Sequence, residues 1–148
     1  MRTNSAEIPD VQVRAGMNDK LRGIHVLVVE DDEDTRELLR VLLETQAATV
    51  TVTASVQEAM AAYDQSRPNV IVADIGMPDY NGYTLIGKVR AKDREHGNII
   101  PAIALTAFTT AIDRDTVLSA GFQVHMPKPF EPTHLITVIL DLVAKYPA

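Results

Sequence analysis

Five short apolar runs, each followed by a helical pattern, constrain this chain more than anything else in it. The runs are His25 to Val29, Thr49 to Thr53, Asn69 to Asp74, Ile100 to Leu105 and Phe122 to Met126. Behind the first, Leu38, Leu39, Val41, Leu42 and Leu43 form a helix face, with Asp34 or Asp32 as the N-cap. Ser55 caps the second helix, Val56 to Gln65, and Glu58 completes a capping box. The third helix runs through Leu85, Ile86 and Val89 and breaks at His96-Gly97-Asn98. The fourth, from about Thr110 to Ala120, is weaker and more polar, and Gly121 stops it. Pro132 opens the fifth at an early position, where a missing N–H is harmless.

Strand–helix alternation of this kind predicts an α/β fold: a parallel sheet, helices on both faces, right-handed crossovers. Continuously apolar strands suit a sheet covered on both sides. Thr49 to Thr53 alternates valine with threonine and belongs nearer an edge. Five units are too few for an eight-stranded barrel, so an open doubly wound sheet remains. Residues 1–22 read as a tail or linker, with Ile8, Val11 and Val13 as points of contact, and 23–148 as the domain.

Composition removes several functions. Net charge is −6, which argues against non-specific nucleic-acid binding. There is no cysteine, so disulfides, thiolate zinc sites and cysteine nucleophiles are excluded. That fits a cytoplasmic setting. No apolar run approaches the roughly 20 residues of a membrane helix, so membrane insertion is not expected.

In open parallel sheets, ligands bind beyond the carboxyl ends of the strands. Four runs end in reactive or polar groups: Glu30-Asp31, Asp74, Thr106 and Met126-Pro127-Lys128. These side chains should converge at one edge. Carboxylates that close repel, and a hard divalent cation relieves the repulsion. Asp31 and Asp74 would bind Mg²⁺ directly, a backbone carbonyl just after Asp74 would add an oxygen, and Glu30 would act through water. An aspartate can attack phosphorus to give an acyl phosphate. The Lys128 ammonium and the Thr106 hydroxyl would each take a phosphoryl oxygen.

Four motifs in this order resemble the receiver domain of two-component response regulators. They are Val28-Val29-Glu30-Asp31-Asp32, Asp74-Ile75-Gly76-Met77-Pro78 with Asn81-Gly82, Leu105-Thr106-Ala107, and Lys128-Pro129-Phe130. The resemblance covers about Gly23 to Tyr146, and the flanking residues look most like receiver modules of hybrid sensor histidine kinases. It implies a flavodoxin-like (βα)5 sheet of order 2-1-3-4-5. It implies Mg²⁺-dependent (or Mn²⁺-dependent) phosphoryl transfer from a phosphohistidine of a sensor histidine kinase, or from a phosphotransfer protein, to Asp74. It assigns Asp31 and the Gly76 carbonyl to the metal and Glu30 to its outer sphere. Thr106 would move toward the phosphoryl group, and Lys128 would contact it. The chain would be a phosphoprotein of a phosphorelay whose aspartyl phosphate drives signal transduction. It would not be an enzyme beyond its own phosphorylation and dephosphorylation.

Two positions depart from the family's pattern. Asn81 stands where an acidic residue is usual, and His125 stands where the family carries a rotating aromatic, three residues before the lysine. His125 reads equally as a packed strand residue or a switch. Phe108, His125 and the fourth and fifth helices are read as a switching face for a partner or a second copy. Against this reading stand two others. An aspartyl-nucleophile phosphohydrolase would usually carry a second aspartate where Gly76 lies; a phosphorylation-independent module would have no use for the clamp. No output domain follows the last helix, so the sequence reads as a stand-alone receiver or one excised from a hybrid kinase.

Overall fold

The computed structural model describes residues 19–75, 82–106 and 114–147. The expectations at Gly76, Asn81 and Phe108 lie outside the described residues. Five strands form one parallel sheet: β1 (His25–Val29), β2 (Thr49–Thr53), β3 (Val70–Asp74), β4 (Ala102–Thr106) and β5 (Val124–Pro127). Their order is β2-β1-β3-β4-β5, as expected, with β2 at one edge. The helices are α1 (Glu33–Thr45), α2 (Val56–Gln65), α3 (Gly82–His96), α4 (Arg114–Ala120) and α5 (Pro132–Lys145). β4 and β5 each start two residues later than the apolar runs suggest, and Pro101 falls just before the ladder rather than within it. A proline has no N–H to give to a central strand.

Alternation along the strands sorts the core into two layers. Leu27, Val29, Ile71, Ala73, Ala102 and Ala104 pack against α2, α3 and α4. Val26, Val28, Val70, Val72, Ile103 and Leu105 pack against α1 and α5. Burying each larger aliphatic is worth about 2 kcal/mol. Leu21, ahead of β1, belongs to the second layer, and its N–H donates to the Gln46 carbonyl.

Local chemistry sets the helix ends. Asp32 accepts from the Thr35 N–H at 2.9 Å and caps α1. The Ser55 hydroxyl accepts from the Glu58 N–H at 3.1 Å, but the Glu58 carboxylate reaches the Ala54 N–H, one residue before the expected partner. The apolar face expected of α1 divides. Leu39 and Leu43, four apart, point inward, whereas Leu38 and Val41 are 64% and 49% exposed. Gly82 opens α3 against the end of β3: a Cβ there would lie 2.6 Å from the Ile75 Cβ and 2.9 Å from its Cα.

A cluster of charge lies at the amino edge of the sheet. Asp93 of α3 is 2% exposed. Its Oδ1 accepts from the Tyr63 hydroxyl at 2.6 Å and from Arg67 at 3.0 Å; its Oδ2 accepts from Arg90 and from the Ile100 N–H. Arg67 also donates to Asn98, and Arg90 to Gly121 and Gln123. Burial, with the hydrogen bond to Asp93 behind it, pushes Tyr63 up to about 12.

Candidate functional site

The site at the opposite, carboxyl edge follows from strand register. Val29 pairs with Ala73, so the next residues, Glu30 and Asp74, leave neighbouring strands side by side. Asp74 pairs with Leu105, and Thr106 with Pro127, which brings Thr106 and Lys128 to the same edge. The Lys128 N–H donates to the Thr106 carbonyl at 2.7 Å. Two-residue alternation then fixes the faces. Val26 and Val28 precede Glu30, Val70 and Val72 precede Asp74, and Met126 precedes Lys128, all in the α1/α5 layer. The three charged heads meet on that side. Lys128 Nζ lies 2.8 Å from Asp74 Oδ2 and 3.2 Å from Glu30 Oε1.

One ammonium serves two carboxylates, and Glu30 is the more deeply buried of the two. That side chain is 1% exposed. Burial pushes its carboxyl up to about 7, and the neighbouring Asp74 charge adds to the effect. The Asp32 N–H and Lys128 offset part of it. Burial opposes the charged form of Lys128, yet its hydrogen bond to Asp74 and the two nearby carboxylates outweigh burial and raise its pKa. The turn after β1 is held from within α1: the Arg36 guanidinium donates to the carbonyls of Glu30 at 3.0 Å and Asp31 at 3.3 Å. The sequence did not single out Arg36, although an arginine one turn into the helix after an acidic strand end was the available signal.

Thr106 stands apart from this triad. Ala102 and Ala104 precede it in the α2/α3/α4 layer, so its side chain belongs to the other face of the sheet. There its hydroxyl lies 2.9 Å from His125 Nε2. His125 falls between Val124 and Met126 of the opposite layer, which turns it to the same side as Thr106.

The expected residues are thus placed as follows. Glu30, Asp74 and Lys128 are in contact. Thr106 reaches the same edge on the other face, paired with His125. Asp31 is exposed one residue beyond Glu30. Among the described residues, no three acidic or histidine side chains converge as a ready-made metal cage. Magnesium does not ask for one. It is held by one or two carboxylates and keeps several waters, and a hard-oxygen, net-negative edge with Asp31 open to water fits it. An apolar groove adjoins the site, with Leu38 and Leu42 of α1 on one wall, Phe130 and Pro132 on the other, and Lys128 at its rim.

Comparison with known proteins is concordant. The profile of the response regulator receiver domain family matches residues 26–140. An uncharacterized 14.6 kDa protein in the sodA1 3′ region of Leptolyngbya boryana is 39% identical, over 86% of this chain and 95% of that protein. The hybrid signal transduction histidine kinase D of Dictyostelium discoideum is 35% identical over 85% of this chain, which spans only 8% of that kinase. The crystal structure of a putative response regulator from Chloroflexus aurantiacus J-10-fl superposes with a TM-score of 0.73 at 28% identity, covering 82% of this chain and 98% of that one. Among the described residues, no helix is long and apolar enough to cross a membrane.

Proposed function

The chain belongs to the response regulator receiver domain family, and on that premise we propose that Asp74 accepts a phosphoryl group from a phosphohistidine. The observation that carries this is the contact of Lys128 with both Asp74 and Glu30 at the carboxyl edge. An Asp74 oxygen attacks phosphorus in line with the departing imidazole nitrogen. The P–N bond breaks as the aspartyl P–O bond forms. Lys128, already bonded to the nucleophile's second oxygen, follows the charge onto a phosphoryl oxygen. Glu30, buried beside it, orients the ammonium.

Asp31 and Asp74, with the Gly76 carbonyl, would hold Mg²⁺, or Mn²⁺ in its place, and Glu30 would act through water. When bound, the cation neutralises charge developing on the phosphoryl oxygens. Hydrolysis of the acyl phosphate by the same residues returns the domain to rest. Thr106 then reads the phosphoryl group, and the face formed by α4, β5 and α5, with Phe108 and His125, carries the signal to a partner or a second copy.

The donor is a sensor histidine kinase or a phosphotransfer protein. Its imidazole has to reach Asp74, and the exposed Leu38 and Val41 with the groove at Lys128 offer apolar surface beside that point. The receiver unit takes in residues 23–148, with 1–22 as the lead-in. A cytoplasmic location suits a domain fed by a kinase. The test is mass spectrometry after incubation with acetyl phosphate. Wild type should gain one phosphoryl group with Mg²⁺ and much less without it. Asp74→Asn gaining the same mass would refute the assignment.

A further inference from the structure

We propose that Arg36 is a positioning residue for the cation: its guanidinium locks the turn that carries Asp31, and so fixes the direction of that carboxylate before a metal binds. The inference rests on the reading of Asp31 as a metal ligand and adds what holds that ligand in place. One nitrogen on two carbonyls carries it. Arg36 Nη1 donates to the Glu30 carbonyl at 3.0 Å and to the Asp31 carbonyl at 3.3 Å. These carbonyls belong to the peptide planes on either side of the Asp31 Cα. Each residue has only two soft backbone dihedrals, so holding both planes fixes φ and ψ of Asp31 and the direction of its Cα–Cβ bond. The second plane is held twice, because its N–H, on Asp32, donates to Glu30 Oε2 at 3.1 Å.

Asp31 needs such an anchor. β1 ends at Val29 and α1 begins at Glu33, so the residue belongs to neither. It is exposed, so packing does not restrain it. Arg36 is half-buried on the first turns of α1, and that helix start is itself clamped: the Arg36 N–H donates to the Asp32 carbonyl at 2.9 Å, and Asp32 accepts from the Thr35 N–H and hydroxyl. Electrostatics alone would give Arg36 the opposite effect. A guanidinium beside the acidic turn repels an incoming cation and weakens its binding. A preorganised ligand strengthens binding, because less freedom is lost when the cation arrives. The two roles therefore predict changes of opposite sign.

The experiment uses the whole chain and Mg²⁺ alone, with affinity read from backbone amide shifts and mobility from ¹⁵N relaxation of the metal-free protein. In wild type the Asp31 and Asp32 amides should have order parameters of about 0.85, the value of rigid backbone. Arg36→Gln, checked for folding by circular dichroism, should bind Mg²⁺ about fivefold to tenfold more weakly, the worth of one or two ordinary hydrogen bonds, with lower order parameters at both amides. Arg36→Lys keeps the charge and a donor and should fall between the two. In an Asp31→Ala background, Arg36→Gln should change Mg²⁺ affinity less than twofold, an outcome that general loosening of the fold would not give. Unchanged or tighter Mg²⁺ binding by Arg36→Gln, or the same loss in the Asp31→Ala background, would overturn the proposal. So would metal-free wild type with an Asp31 amide below about 0.6, the flexible range, whether or not the variants fold. Wild type that binds no Mg²⁺, or that binds it equally well as Asp31→Ala, would overturn the metal assignment itself, and this inference with it.

Discussion

Two charge clusters lie at opposite edges of the same sheet, and they are balanced in opposite ways. At the amino edge a single carboxylate, Asp93, receives two guanidiniums, a phenol and a backbone N–H. At the carboxyl edge a single ammonium, Lys128, answers two carboxylates, and the exposed Asp31 follows Glu30 in the chain. The first cluster satisfies its buried charge and ties α2, α3 and the loops before β4 and β5 into one body. The second sets one ammonium against two carboxylates, and Glu30 is raised first by burial and then by the Asp74 charge. Saturated networks hold a fold; a deficit of charge leaves room for a cation and a substrate. The contrast marks the carboxyl edge, rather than the amino edge, as the candidate site.

Substitutions can break or sharpen the contrast. The largest effect expected is at Asp74. Asp74→Asn should abolish phosphoryl uptake outright while the urea midpoint stays within error of wild type or rises, since it relieves repulsion with Glu30. A collapse of stability there would make the carboxyl edge as structural as the amino edge. Asp93→Ala should do the reverse. Stripping the buried carboxylate from two part-buried guanidiniums should cost about 3 kcal/mol in urea unfolding, with phosphorylation of the surviving folded fraction unchanged.

Glu30→Gln comes next and is best read through pH. Glu30 titrates at about 7 in the fold, above its ordinary 4.5. The protonated form is therefore the one the fold favours. Its contribution is fully present below about 4.5 and is lost as pH rises to about 7, on the order of 3 kcal/mol across that window. Denaturant titrations without Mg²⁺ should show that decline in wild type and not in Glu30→Gln. The smallest effect belongs to Tyr63→Phe. It should cost about 1 kcal/mol and remove an alkaline limb, because Tyr63 is raised to about 12 and its contribution fades between about 10 and 12. An alkaline limb that survives in Tyr63→Phe would place its origin elsewhere.

The meeting of Glu30, Asp74 and Lys128 was legible before any coordinates because its parts are local, acids and a lysine directly after apolar strands, whereas the expected convergence of Thr106 with them meets the opposite face of the sheet. Parallel register does the rest. The fold was legible for the same reason, since the period changes from strand to helix five times. The amino-edge cluster was not. Arg67, Asp93, Arg90 and Gln123 meet across sequence separations of 26 and 33 residues, and in the chain each looks like a surface residue. Leu38 and Val41 looked like core, because a helix with five apolar residues in six positions shows no clean stripe. The partnership of His125 with Thr106 needs the pairing of β4 with β5, which motif spacing alone does not supply.

The contact between Gly82 and Ile75 has a consequence for how this domain tolerates change. Residues 75 and 82 touch, so they act as a clasp on the connection that joins them. Doubling the length of such a connection costs only about 0.6 kcal/mol in closure entropy. One methyl group on the clasp itself, as in Gly82→Ala, forces backbone apart and costs about 1 to 3 kcal/mol. The connection that follows Asp74 can therefore be lengthened more cheaply than its fastening can be thickened.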